Sequence, residues 1–265
     1  MANKTIKYLD PKNDLTFRKV FGEHPHLLIH FLNDLLPLAP EQKILDIEYL
    51  DNEIIPELPG FKRSVVDVRC RDNFDRYFIV EMQMYWTRSF KKRMLFNSGK
   101  AYVKQLKSGG KYRDLKPVYG LSLVDDIIHG KGSLKEVYYH HYKFIHTQDP
   151  GEQIDGLELI FIELPKFRAT KFTSKRLCSL WLRFLTEIDE NTKDIPEELK
   201  NDQYIKEAIE CVQKDAFSEE ELLYYEEYWD AIRTEKAALE EALERNQLQE
   251  KEREEERRQK EEAKK

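Results

Sequence analysis

The chain has 265 residues, 40% of them apolar and 35% charged, with a net charge of −6. No run approaches the roughly 20 apolar residues that a membrane helix needs, and the amino terminus MANKTIKYLDPKND lacks the apolar core of a signal peptide, so a soluble cytoplasmic protein is expected. Three scattered cysteines, Cys70, Cys178 and Cys211, exclude a disulfide framework and the paired-cysteine zinc pattern.

Residues 14–36 carry apolar side chains at helical spacing, with Gly22 and Pro25 predicting a break into two helices and Pro37 an end. KILDIEYL (43–50) is a strand candidate. SVVDVRC (64–70) and YFIVEMQM (77–84), separated by the polar RDNFDR, predict a hairpin. Residues 88–107 read as a helix ending at a glycine cap near Gly109. PVYGLSLV (117–124), VYYHHYKFI (137–145) and LELIFIEL (157–164) are further strands, and 172–188 and 199–213 are amphipathic helices. Ser218 and Glu221 form a capping box opening a long helix. Its apolar seam (Leu222, Tyr225, Trp229, Ile232, Leu239, Leu243) fades into a charged tail. This order predicts an α/β fold with a mixed central sheet flanked by helices over 1–165. A helical acidic extension follows over 166–217, then a long charged helix over 218–265, either coiled coil or partly disordered.

Charge divides along the same lines. Residues 1–186 carry net +7, residues 187–230 net −12, and the tail net −1. Ten basic residues and a single acid lie between Arg88 and Lys116. A basic domain attracts an anionic partner such as nucleic acid, although a solvated Lys-rich surface has the same composition.

The hairpin carries Asp67, Glu81 and Gln83. If its strands pair symmetrically about Phe74, Asp67 faces Glu81 on strands that otherwise read as core. Facing Cβ atoms lie about 4.5–5.5 Å apart, and two carboxylates there repel unless a cation joins them. Mg²⁺ is held by such carboxylates. The alternative is an edge hairpin whose polar face is solvated. On the following helix Arg93, Lys100, Lys104 and Lys107 fall in one sector, with Met94, Leu95, Ala101, Tyr102, Gln105 and Leu106 opposite and expected to face the sheet. A cationic stripe beside an acidic hairpin suits phosphodiester cleavage, the stripe holding the backbone of DNA and the metal activating water. A solvated helix face is again the alternative. His26/His30 and His140, His141 and His146 read as ordinary helix, packing or surface residues.

Five pieces stand in order: Asp14-Leu-Thr-Phe-Arg18-Lys-Val-Phe-Gly22; Val66-Asp67-Val68; Ile79-Val80-Glu81-Met82-Gln83; Tyr102-x-x-Gln105-x-x-x-Gly109-x-x-Tyr112; and Leu115-x-Pro117-Val118. Over roughly 8–165 the chain thereby resembles the PD-(D/E)XK nuclease family of transposases, or recombination-promoting nucleases. The resemblance implies a restriction-endonuclease-like core and a DNA endonuclease dependent on Mg²⁺ or Mn²⁺, assisting recombination or transposition. Asp67 and Glu81 would be metal ligands with the Met82 carbonyl as a third oxygen, and Gln83 stands where the motif has Lys. Glutamine can only hydrogen-bond, so a catalytically degenerate DNA-binding protein is the other reading. Asp14, Tyr102 and Gln105 are additional candidates, Asp14 being read mainly as a helix N-cap. No membrane partner is expected. A homo-oligomer through the C-terminal helix is.

Overall fold

The computed structural model describes residues 7–54, 64–106, 108–168 and 176–262. Two helices open the chain, α1 (Asp14–Glu23) and α2 (Pro25–Leu35), split where Gly22 and Pro25 predict. The strands are β1 (Ile47–Tyr49), β2 (Glu53–Ile54), β3 (Ser64–Val65), β4 (Val68–Asp72), β5 (Tyr77–Gln83), β6 (Val118–Val124), β7 (Tyr139–Ile145) and β8 (Gln153–Glu163). Helix α3 (Phe90–Val103) separates β5 from β6, and α4 (Arg176–Glu187), α5 (Glu197–Lys200), α6 (Gln203–Cys211) and α7 (Glu219–Glu262) follow β8.

Six strands form one mixed sheet in the order β1-β4-β5-β6-β8-β7, and β2 and β3 pair separately. The β5, β6 and β8 strands are parallel neighbours, while the β1–β4, β4–β5 and β7–β8 pairs are antiparallel. Strands covered on both faces read as continuous apolar runs, and β6, buried along its whole length, is such a strand.

Helices cover both faces. One face packs Val68, Cys70, Phe78, Val80, Leu121 and Ile160 against the α1 and α2 side chains Phe17, Phe21 and Phe31. Trp181 and Phe184 of α4 and Ile205 and Ile209 of α6 join the same cluster, so the helical extension shares the core of the sheet. The other face packs Ile79, Val118, Leu159 and Phe161 against Phe90, Met94 and Ala101 of α3. Gly120 lets α3 settle close to the sheet: a Cβ there would lie 2.8 Å from both Ser98 Oγ and Leu159 Cδ2.

Four expectations are corrected. The 64–70 strand is broken at Val66–Asp67, because Ser64–Val65 turns away to pair with β2. Helix α3 stops at Val103, with Lys104 already its cap. Leu95 does not face the core of the sheet and is 47% exposed. Asn13, not Asp14, caps α1, accepting from the Leu15 N–H at 3.0 Å. The Ser218–Glu221 capping box is present in both directions, at 2.7 and 3.2 Å.

The first three turns of α7 lie on the core. Leu222, Tyr225 and Trp229 pack with Leu9, Leu15 and Phe217. The Tyr225 hydroxyl accepts from the Asp10 N–H at 2.9 Å and donates to Glu190 at 2.8 Å. Three residues of the apolar seam are therefore used within the chain. Among the described residues, no helix is long and apolar enough to cross a membrane.

Candidate active site

The β4–β5 register runs Arg71↔Tyr77, Cys70↔Phe78, Arg69↔Ile79, Val68↔Val80. One step further sets Asp67 against Glu81, at the point where β4 begins. The break frees the Asp67 carboxylate to turn back onto β5, where its Oδ2 accepts the Met82 N–H at 2.6 Å. Val66, which would otherwise face Met82, donates its N–H to the Asn52 carbonyl instead. A residue in an antiparallel pair directs N–H and C=O to the same neighbour. The Met82 carbonyl therefore points to the side where Asp67 stands.

Glu81 is 4% exposed on the α3 face. Its two oxygens accept from Asn97 Nδ2 at 3.0 Å and Arg93 at 3.1 Å. The same guanidinium donates to Gln83 Oε1 at 2.6 Å, and Gln83 Nε2 donates to the Tyr85 carbonyl at 2.9 Å. Gln83 thus serves as a strut holding Arg93 against Glu81. Arg93 leaves the outward stripe expected of it and enters the site. Asn97, one helical turn on, was not singled out, although its i+4 spacing from Arg93 puts it on the same helix face.

Burial pushes the Asp67 carboxyl up to about 7, with the Glu81 and Asp14 charges adding to it and the Met82 N–H and Arg18 opposing. Burial also raises Glu81, against the lowering effect of Arg93 and Asn97. Two acids whose charged forms are this costly are poised for a cation. The donor set fits a hard divalent ion: two carboxylates and a backbone carbonyl, all oxygen. Asn97 Oδ1 is a further buried oxygen beside Glu81, with no hydrogen-bond partner among the described residues.

Helices α1 and α7 close the rim. Asp14 pairs with Arg18 at 2.9 Å and accepts from the Tyr224 hydroxyl at 3.1 Å. Burial and the charges of Asp67, Asp14 and Asp10 push the Tyr228 phenol up, which places α7 over the same acids. The α7 contact had no sequence signal beyond the seam itself.

The remaining candidates lie elsewhere. Gln105 clamps the Lys116 backbone, donating at 3.0 Å and accepting at 2.8 Å, and Tyr102 packs 3.5 Å from the Cβ position of Gly156. Both positions adjoin the start of β6, the opposite end of the sheet from Glu81. Lys100 covers the Phe96 ring at 4.8 Å, Lys104 is partly buried, and Lys107 lies outside the described residues.

A second cluster joins His140, expected only to pack, to two residues outside any motif. His129, His140 and Glu163 bring three ligand atoms within 4.8 Å of one another. Glu163 Oε1 meets His140 Nε2 at 2.7 Å and His129 Nδ1 at 3.1 Å, while Oε2 accepts from the Ile128 N–H and Lys166, both at 2.8 Å.

A family model described as PD-(D/E)XK nuclease family transposase matches residues 11–242. The chain belongs to that family. The match passes the expected limit near 165 and takes in the helical extension and the docked part of α7, in keeping with their shared packing. A search of curated proteins and a search of solved structures each returned no match.

Proposed function

We propose that this nuclease-family protein cleaves DNA phosphodiesters with a divalent cation, Mg²⁺ or Mn²⁺, held by Asp67, Glu81 and the Met82 carbonyl. The observation that carries the reading is Arg93, fixed between Glu81 and Gln83 at 3.1 and 2.6 Å. Gln83 lacks the charge of the motif's lysine, and Arg93 supplies a permanent cation at that place from the neighbouring helix. A guanidinium is always charged and pairs readily with phosphate oxygens. Held there, it stabilises the charge that develops on the scissile phosphate. The bound cation would neutralise phosphate charge and lower the pKa of a water.

DNA is the substrate this reading requires, and Lys100 and Lys104 are proposed phosphate contacts at the edge of α3. Self-association through α7 stays a proposal. It would now rest on Ile232 and Leu239, which lie beyond the docked turns and are partly exposed.

One observation favours the degenerate reading. Both Glu81 oxygens are already engaged, one by a cationic guanidinium, so Arg93 would then stand in for the metal. The test is supercoiled plasmid incubated with the full chain, with Mg²⁺ and with EDTA. Nicking that needs Mg²⁺ and is lost in Asp67→Asn supports cleavage. DNA binding without cleavage under any divalent metal supports the degenerate reading.

A further inference from the structure

Helix α3 has a second side. Lys91, Lys92 and Leu95 lean away from Glu81 toward the far edge of the sheet, where they wall a groove of about 270 Å³ with β7 and β8. Its floor and far wall are aromatic: Phe161 buried beneath, Tyr142 edge-on to it at 5.7 Å, and Phe144 half exposed. Three of its nine lining residues are lysines (Lys91, Lys92 and Lys143) and none is acidic. Lys91 Nζ sits 4.9 Å above the Tyr142 ring and donates to its hydroxyl at 2.7 Å. Lys143 leans to Glu158 at 3.6 Å on the rim.

The groove is tied to the candidate site by strand register. Glu81, Ser122, Phe161 and His140 form one row across the sheet, and Ile79, Gly120, Leu159 and Tyr142 form the next. Phe161 is two strands from Glu81 and Tyr142 three strands from Ile79, so the groove begins about 10–15 Å from the acids on the same face. A nucleic-acid strand advances about 3.4 Å per phosphate along a duplex, which makes this the reach of a few nucleotides.

We infer that this groove receives an unpaired base of the DNA strand being cut. Every base offers a π-face to an aromatic side chain, and lysines around the rim meet the phosphates on either side. The chemistry suits no second copy of the chain, because a two-fold pairing would set each lysine cluster against its equal. A lining with three lysines and no acidic residue selects for an anionic ligand with a flat apolar part. The inference rests on the reading of the chain as a DNA-acting protein and adds single-strand character to its substrate.

Binding of the full chain in EDTA to a short labelled single strand, and to the blunt duplex of the same sequence, separates the two claims. Phe144→Ala is expected to weaken single-strand binding about 5-fold or more, the loss of one stacked base, with duplex binding unchanged. Phe144 is 52% exposed, so the fold tolerates the truncation, and Phe144→Trp should keep the affinity. Lys92→Ala should flatten the single-strand salt slope by about 0.7. If the wild type binds both DNAs and Phe144→Ala binds the single strand equally well, the groove assignment falls while the DNA reading stands. Equal weakening on both DNAs overturns it too, as does a change in oligomeric mass without a change in affinity. If the wild type binds neither DNA, both readings fall together.

Discussion

Two buried acidic centres stand on the same sheet and differ in how they are satisfied. Glu163 is fully buried, and burial alone would raise its pKa, yet Lys166, His129, the Ile128 N–H and His140 outweigh burial and hold it below the usual carboxylate range. Among the described residues Asp67 has one hydrogen-bond donor, the Met82 N–H, and a second acid beside it, and burial pushes it up to about 7. By ligand geometry alone the Glu163 cluster is the better metal site. Its surroundings argue otherwise. Lys166 lies 2.8 Å from one carboxylate oxygen, and Lys91 lies 3.2 Å from His129 Nε2. An ammonium at Nε2 keeps the proton on Nδ1, the nitrogen a metal would need. Lys166 also donates to the carbonyls of His129, Leu134 and Val137. Glu163 therefore reads as a clamp holding the 125–137 loop to the sheet. A finished network is a structural device, and an unfinished one awaits a partner.

Four changes would break or sharpen this contrast. The largest effect is expected at the acids: Asp67→Asn and Glu81→Gln should each lower Mg²⁺-dependent plasmid nicking by about 100-fold or more, on the scale of losing one preorganised electrostatic group. Nicking by either variant at the wild-type rate would place the activity elsewhere. Next, Arg93→Ala should lower the nicking rate by a factor on the order of 100. Adding Gln83→Lys to it should recover part of the rate by returning the charge to the strand. If the double variant is no better than Arg93→Ala, the account of a relocated cation fails.

The third change tests the clamp. Glu163→Gln removes the charge that Lys166 faces, and breaking a buried pair costs about 3–5 kcal/mol, equivalent to roughly 2–4 °C in Tm per kcal/mol for a chain near this size. The melting temperature should fall while metal binding persists. The smallest effect is the pH dependence of Asp67 in metal-free protein. Its folded pKa lies above the ordinary value of 3.8, so folding binds protons between the two values. Its stability contribution is greatest in acid and is lost as pH rises through about 7. Asp67→Asn should accordingly raise Tm at pH 8 and leave it nearly unchanged at pH 4, as differential scanning calorimetry in EDTA would show. Glu163, with its lowered pKa, has the opposite sign: its contribution is present above its unfolded pKa and lost as pH falls below it.

The β4–β5 register that brings Asp67 beside Glu81 is legible in the sequence because strand periodicity and hairpin symmetry depend on local sequence alone. The register found for Val68↔Val80 is the one that symmetry about Phe74 requires. The break in β4 was not legible, since it depends on pairing with β2, from across a different segment. The helix that carries Arg93 is legible, but its contacts with Glu81 and Gln83 are not. A helical wheel gives the angles between side chains, not which of them meets the sheet, and Gly120 settles that by letting α3 sit close. His129 and Glu163 are 34 residues apart in no motif, and only the fold joins them. The docking of α7 depends on Tyr225 and Trp229, residues whose spacing suits an intermolecular seam equally well.

The most direct measurement is Mn²⁺ binding to the full chain, read from the EPR signal of free Mn²⁺. The account predicts a site that is present in the wild type, lost in Asp67→Asn and in Glu81→Gln, and kept in His129→Gln. Binding kept in Asp67→Asn but lost in His129→Gln would contradict it and move the metal to Glu163.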